Sequence, residues 1–77
     1  MKKLTQVVFD GAPDWAESAA VDSDGEAYWY SIKKSALILS PRKEWWSYRH
    51  IDGATCDLVG FEYDTTNWQL SAIDREI

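Results

Sequence analysis

Short runs of apolar and aromatic residues alternate with turn-forming residues along the whole chain, and this pattern predicts strands. The clearest signal is Asp24-Gly25, which lies between an apolar run ending at Val21 and the aromatic run of residues 27–32. Asp and Gly tolerate the positive φ angles of a tight hairpin turn. The sequence therefore predicts a β-hairpin centred on these two residues.

The aromatic run also predicts which side chains share a face of the sheet. Successive side chains of a strand point to opposite faces. Trp29 is therefore expected on one face, with Tyr28, Tyr30 and Ile32 on the other. Because both sets are aromatic or apolar, we expect both faces of the sheet to be partly covered.

The remaining runs predict further strands. Residues 36–39 form one candidate, closed by Ser40-Pro41, and residues 45–51, 56–63 and 68–73 form the others. Residues 4–9 are expected to add an edge strand or to pack across the sheet. Together these runs predict a mostly β protein, a small antiparallel meander of about five or six short strands.

Helix is the weaker alternative. One helical turn is expected near residues 13–19, because Pro13 suits a first helical position and Asp14 and Glu17 suit a helix N-terminus. The whole chain of 77 residues is expected to form a single domain. Its 45% hydrophobic and 14% aromatic content is far above that of a disordered segment of similar charge.

Cys56 is the only cysteine, so the sequence excludes an internal disulfide and a two-cysteine metal clip. Small secreted domains usually carry several disulfides, and residues 1–6 lack the apolar run of a signal peptide. The longest apolar stretch, residues 36–39, is too short to span a bilayer. We therefore expect a cytoplasmic protein with no membrane contact. Cys56 itself is expected to be buried or unreactive.

Charge is arranged in blocks within a net charge of −5. Six acidic residues and no basic residue lie between Leu4 and Ile32, residues 33–49 are mainly basic, and residues 50–74 carry five acidic residues and no Lys or Arg. The blocks predict either ion pairs between adjacent strands or acidic surfaces that recognise a partner.

No motif for catalysis or metal binding stands out. The segment Asp22-Ser23-Asp24-Gly25-Glu26 resembles the start of a calcium loop, but its glycine comes too early and Lys33 occupies the position of the bidentate Glu. His50 and Cys56 do not match a zinc spacing. The sequence therefore predicts a protein that is not an enzyme and has no metal or cofactor.

Residues 42–50 interleave bases with aromatic side chains, which favours stacking on single-stranded nucleic acid. A net charge of −5 opposes long-range attraction to a polyanion. A single-stranded nucleic-acid-binding module that uses residues 45–50 therefore stays as an alternative.

Two segments, Ala12-Pro13-Asp14-Trp15-Ala16 and the stretch from Ala20 to Tyr30, together resemble a pattern in small proteins of tailed bacteriophages and prophages. Those proteins pair a Pro-acid-Trp-Ala segment with an Asp-Gly turn and an aromatic strand. The resemblance implies a phage-type accessory protein made in the bacterial cytoplasm.

The functional hypothesis is stoichiometric binding to a host bacterial protein, such as a component of a defence system against phage that the protein inhibits. Exposed aromatic residues and Arg are enriched among the residues that dominate interface energetics. A minor virion or assembly component and a homodimer formed through edge strands are further alternatives. The candidate partner-binding residues are Asp14, Glu17, Asp22, Asp24, Glu26, Trp45, Trp46, Tyr48 and Arg49.

Overall fold

Six short strands form the framework of the protein in a computed structural model, which describes residues 2–40, 42, 44–48 and 53–76. The strands are β1 (Ser18–Val21), β2 (Ala27–Tyr30), β3 (Leu37–Leu39), β4 (Trp46–Tyr48), β5 (Cys56–Gly60) and β6 (Ile73–Asp74). Single 3₁₀ turns lie at Gln6–Phe9, Lys34–Ala36 and Trp68–Leu70. The predicted mostly β, antiparallel fold is confirmed. None of the described helical segments is long and apolar enough to cross a bilayer.

The strands are divided between two antiparallel sheets. One has four strands in the order β5-β2-β1-β6, and the other is the hairpin β3-β4. This order differs from a sequential meander, because β3 and β4 leave the sheet and β6 returns to pair with β1. The central strands β1 and β2 are thereby covered on both edges.

The hairpin between β1 and β2 confirms the predicted turn. The Asp22 N–H donates to the Glu26 carbonyl at 2.8 Å, and the Gly25 N–H donates to the Asp22 carbonyl at 3.0 Å. Gly25 has φ 88°, so the three-residue loop ends in a left-handed residue. Asp24 does not need a positive φ; its carboxylate instead accepts from the Glu26 N–H at 3.0 Å.

The N-terminal 3₁₀ turn covers one face of the four-stranded sheet. Phe9 packs with Ala16 and Ala19, and Trp29 packs against the same cluster. The Trp29 indole N–H donates to the Val8 carbonyl at 3.0 Å. The expectation of an edge strand at residues 4–9 is wrong, while the alternative, packing across the sheet, is confirmed.

The β3-β4 hairpin covers the opposite face. Tyr30 and Leu37 pack with Ala20, and Trp46 and Tyr48 pack against them. The two faces of β2 therefore both face apolar material, as the alternation of its side chains predicted.

Other predicted elements are shorter than expected or differ in kind. The helical turn near residues 13–19 is a single hydrogen-bonded turn, with the Ala16 N–H donating to the Pro13 carbonyl at 3.0 Å, and β1 begins at Ser18. The strand expected at residues 68–73 is a 3₁₀ turn followed by β6. In this segment the Ser71 hydroxyl accepts from the Val21 N–H at 2.9 Å and so takes the place of a strand partner for Val21.

The predicted neutralisation of charge between strands is wrong for the described residues. Their one ion pair joins Lys33 and Glu17 at 3.0 Å, and both side chains are about half exposed. Neither residue lies within a strand. Exposed pairs of this kind contribute about 0–1 kcal/mol, so this pair adds little to the stability of the fold.

Candidate binding cleft

An open cleft lies where the β3-β4 hairpin meets the four-stranded sheet. It has a volume of about 390 Å³, within the range of ligand sites. We call it the aromatic cleft, and its lining residues are Asp22, Tyr28, Tyr30, Trp45, Trp46, Ser47, Tyr48 and Cys56. Five of these eight residues are aromatic, and none is Lys or Arg.

Strand periodicity places the rings. Tyr28 and Tyr30 are two residues apart in β2 and therefore share a face, and Trp46 and Tyr48 do the same in β4. The rings of Tyr30 and Tyr48 meet edge to face, with centroids 6.0 Å apart and an interplanar angle of 79°. This is a favoured aromatic geometry, so the two strands are packed specifically at the base of the cleft.

Asp22 is the one carboxylate among the described residues that line the cleft, and it is only 8% exposed. Its Oδ1 accepts from the Trp46 backbone N–H at 2.8 Å. Burial raises its pKa from 3.8 to about 6, while the Trp46 hydrogen bond opposes the rise and Asp24 and Glu26 add to it. Asp22 is therefore mostly ionised at neutral pH, although its surroundings disfavour the charge.

Hydrogen bonds between side chains and backbone groups, with one between two backbone groups, hold the hairpin beside this carboxylate. The Ser23 N–H and hydroxyl both donate to the Glu44 carbonyl, at 3.1 Å and 2.6 Å. The Ser40 hydroxyl accepts from the Glu44 N–H at 3.1 Å, which closes the end of the β3-β4 hairpin. The Trp46 indole N–H donates to the Trp68 carbonyl at 3.3 Å. These bonds fix the cleft from both sides. Two of its rings also have polar partners, since the Trp46 indole N–H is satisfied by Trp68 and the Tyr28 hydroxyl donates to the Glu26 carboxylate at 3.4 Å.

The tyrosines of the cleft provide neutral rings. Burial, followed by the nearby Asp22 carboxylate, raises the pKa of Tyr30 well above its usual value. Burial and then Glu26 raise the pKa of Tyr28, and burial and then Cys56 raise that of Tyr48. All three phenols therefore stay protonated at physiological pH, and their contribution is aromatic surface.

Cys56 is exposed at the edge of the cleft. Of the two expectations for this residue, burial is therefore wrong, and an unreactive thiol stays a prediction. It lies at the first residue of β5, directly opposite Tyr30 of β2. The edge position of β5 leaves its side chain open to solvent.

The structure divides the predicted partner-binding residues between two ends of β1. Asp22, Trp45, Trp46 and Tyr48 line the aromatic cleft, and Asp24 and Glu26 lie close enough to raise the pKa of Asp22. Asp14 and Glu17 precede β1 and lie near Arg75 at the other end of the sheet. Arg49, together with the predicted extension of β4 to residue 51, lies outside the described residues.

The sequence prediction of the site missed Tyr28, Tyr30, Ser47 and Cys56. The alternation in β2 already placed the two tyrosines on one face. No local signal indicated that this face would meet β4, because the contact depends on the packing of one sheet on the other.

A larger cavity, of about 790 Å³, lies beside the β1-β2 turn, but it has a different character. Its lining residues are Lys2, Ser23, Asp24, Gly25, Glu62, Tyr63 and Thr65. The single aromatic ring there, Tyr63, already has the Lys2 ammonium over it at 5.0 Å. The aromatic cleft is therefore the better candidate site, because its rings and its carboxylate have no basic side chain among their described neighbours.

Metal chemistry has no support in the part of the chain that the structure describes, where no group of three or more His, Cys, Asp or Glu side chains could hold an ion. The calcium-loop resemblance at residues 22–26 corresponds to the β1-β2 turn.

Comparison of the chain with protein-family models, with curated proteins and with solved structures found no match.

Proposed function

We propose that this protein is a stoichiometric binding domain that recognises a partner protein through the aromatic cleft. The observation that carries the proposal is Asp22, which is only 8% exposed, lines the cleft together with five aromatic residues and has no basic side chain beside it among the described cleft residues. Such a group weakens the folded state, because its charged form is disfavoured by burial. A charged side chain that lowers stability and lies in a cleft is a candidate for a functional role.

The rings around Asp22 support protein recognition. Trp45 is 44% exposed although a small domain gains stability by burying its tryptophans. Trp and Tyr are enriched among the few residues that dominate binding energy, and they bury large apolar areas with little loss of side-chain freedom. An exposed Trp beside half-buried Trp46 and Tyr48 provides this kind of surface.

The same geometry does not favour the alternatives. A nucleic acid would bring phosphates toward Asp22, Asp24 and Glu26, and the like charges would repel. Catalysis is not part of the proposal, because the hydrogen bond that Asp22 accepts comes from a backbone amide and not from a nucleophile or a base.

In its more specific form, the proposal is that the partner belongs to a bacterial host and that binding inhibits it during phage infection in the cytoplasm. The resemblance of residues 12–16 and 20–30 to small phage proteins supports this form of the proposal. The acidic residues Asp24 and Glu26, at the β1-β2 turn beside the cleft, support it as well. Inhibition by binding requires no chemistry from the small domain, only a surface that occupies a functional site of the target.

Two exposed tryptophans provide a matched test. The tagged protein, its Trp45→Ala variant and its Trp15→Ala variant are each used to capture proteins from a bacterial lysate, with quantitative mass spectrometry as the measurement. Trp15 is 37% exposed and lies outside the cleft, so it controls for the loss of an exposed indole.

We expect one protein or complex that the wild type and Trp15→Ala capture in nearly stoichiometric amounts and that Trp45→Ala loses. Equal capture by all three variants, or no capture above background, would contradict the proposal. If the wild type instead binds a single-stranded oligonucleotide, the nucleic-acid alternative would be favoured.

A further inference from the structure

The aromatic cleft combines three features that together define the chemistry of an occupant. They are the rings of Tyr28, Trp46 and Tyr48 in its lining, the exposed indole of Trp45, and the carboxylate of Asp22, the one charged group among its described lining residues. The faces of aromatic rings carry partial negative charge and attract cations within about 6 Å of the ring centre. Rings and carboxylate therefore favour the same sign of charge in the occupant.

Charge near the cleft adds to this preference. Asp24 and Glu26 both raise the pKa of Asp22, so their negative charge acts at the same position. The one described ion pair, between Lys33 and Glu17, lies at the other end of β1. A cation in the cleft would relieve the electrostatic penalty on Asp22, since an opposite charge within about 4–6 Å stabilises the ionised form.

We propose that the cleft takes one cationic side chain, the ammonium group of a Lys or the guanidinium group of an Arg, from the partner protein, with Asp22 as its counter-ion and the surrounding rings as its walls. This inference rests on the proposed function and names the chemical group recognised by that same site.

The shape of the cleft favours a side chain of a protein over a free small cation. The cleft is open toward solvent, and the indole of Trp45 lies exposed at its edge, where the backbone of a partner would pass. Its volume of about 390 Å³ accommodates the long apolar stem of Lys or Arg along the rings. A site for a small free cation would enclose its ligand more completely.

The test uses short peptides as probes and the ¹⁵N-labelled full chain. Acetyl-Gly-Gly-Lys-Gly-Gly-amide and the matching Arg peptide are titrated against the protein at pH 7.5. The norleucine peptide has a stem like that of Lys without the charge, and tetramethylammonium chloride represents a free cation. Amide and indole N–H chemical shifts report the site of binding.

We expect the Lys or the Arg peptide to cause saturable shifts at Trp45, Trp46 and Tyr48, and the norleucine peptide to bind at least fivefold more weakly. Asp22→Asn keeps an oxygen that can accept from the Trp46 N–H but removes the charge. This variant should lose at least fivefold in affinity for the cationic peptides, whereas Asp24→Asn, in the exposed turn, should lose less than twofold.

Three results would overturn the inference. They are equal binding of the norleucine and Lys peptides, unchanged affinity in Asp22→Asn with its native spectrum intact, and tighter binding of tetramethylammonium than of either cationic peptide. If lysate capture depends on Trp45 while no cationic peptide binds the cleft, the proposed function stands and the cation inference fails. If capture is independent of Trp45, the proposed function fails, and with it the assignment of a cation from a partner protein.

Discussion

The two faces of the four-stranded sheet are covered by different means. On one face, Phe9 and Trp29 pack onto alanines, and the Trp29 indole N–H is satisfied by the Val8 carbonyl. On the other face, aromatic side chains of β2 and β4 meet but leave the aromatic cleft open, with Asp22 buried at its base. The first face is packed as an apolar core. The second face keeps an ionisable group, Asp22, and the exposed ring of Trp45.

The two faces therefore suit different roles in a chain of 77 residues. One face stabilises the fold, and the other carries the surface proposed for recognition. A domain of this size buries only about 60% of the surface that its unfolded chain exposes, so it has little apolar area in excess. The face that Phe9 and Trp29 cover is packed by apolar side chains, and its nearby charged group, the Arg75 guanidinium, lies 5.7 Å from the centre of the Phe9 ring. The face that carries the aromatic cleft is less completely packed, and it contains the Asp22 carboxylate, whose charge is unfavourable in the folded state.

The largest effect is expected on the closed face. Phe9→Ala should lower the free energy of unfolding by about 3–5 kcal/mol, because it removes a buried ring and leaves a cavity beside Ala16 and Ala19. Tyr48→Ala, on the half-buried open side, should lower it by about 1–2 kcal/mol. Urea titration followed by circular dichroism measures both. Equal losses for the two variants would show that the faces do not differ in packing.

The next largest effect is expected at Asp22, where a substitution should raise the free energy of unfolding. The pKa of Asp22 is raised from 3.8 to about 6, so the folded state binds this proton more tightly than the unfolded chain does. Its contribution to stability is therefore fully present below pH 4 and is lost as the pH rises through 6. Asp22→Asn should be more stable than the wild type at pH 7.5 by about 1–2 kcal/mol, allowing for solvent screening.

The stability gain of Asp22→Asn should disappear at pH 3.5, where both proteins carry a neutral group at this position. Thermal unfolding at a series of pH values measures the difference. Asp24→Asn is the control, since its side chain lies exposed in the turn and an amide oxygen can still accept from the Glu26 N–H. A wild-type stability that rises with pH between 4 and 6, relative to Asp22→Asn, would contradict the assignment.

A smaller effect on stability is expected at Trp45. Because its ring is 44% exposed and its hydrogen bond to Ser40 uses the backbone carbonyl, Trp45→Ala should change the free energy of unfolding by less than about 1 kcal/mol. The loss of partner capture by this variant would then report binding and not unfolding. A loss of several kcal/mol would instead place Trp45 in the packed core.

The smallest effect on stability is expected at Cys56. Its exposed thiol should react with N-ethylmaleimide in the folded protein at a rate close to that of the unfolded chain, and the adduct should leave stability within about 0.5 kcal/mol. Because the adduct lies at the edge of the aromatic cleft, it should reduce partner capture. Cys56→Ser, treated in the same way, should retain capture. Protection of the thiol in the folded state would show that the cleft is closed.

Local chemistry explains which parts of the fold the sequence could predict. Asp24-Gly25 reverses the chain because Gly25 adopts a positive φ without steric cost. The turn can therefore be predicted from these two residues alone. The opposite placement of Trp29 and Tyr30 follows from the period of a strand. The end of the chain could not be predicted in this way, because the hydroxyl of Ser71 takes the place of a strand partner for Val21 across 50 positions of sequence.

The candidate site shows the same limit. Trp45, Trp46, Tyr48 and Asp22 were identified by residue type, since aromatic rings and carboxylates are common at interfaces and on acidic surfaces. Their assembly with Tyr28 could not be predicted, because neither the charge blocks nor the local pattern indicates which surfaces will pack together. Asp14 and Glu17 were grouped with them for their charge alone, and the length of β1 separates them from the cleft.

The strand-forming segments, the first turn and the two-sided character of β2 all follow from the order of residues along the chain, because φ preferences and side-chain alternation act between neighbouring residues. The packing of β3 and β4 as a separate hairpin, and the burial of Asp22 beside Trp46 and Tyr48, are features of the folded molecule alone. Burial, and the pKa that results from it, depend on which surfaces exclude water together. That depends on contacts between residues far apart in the sequence.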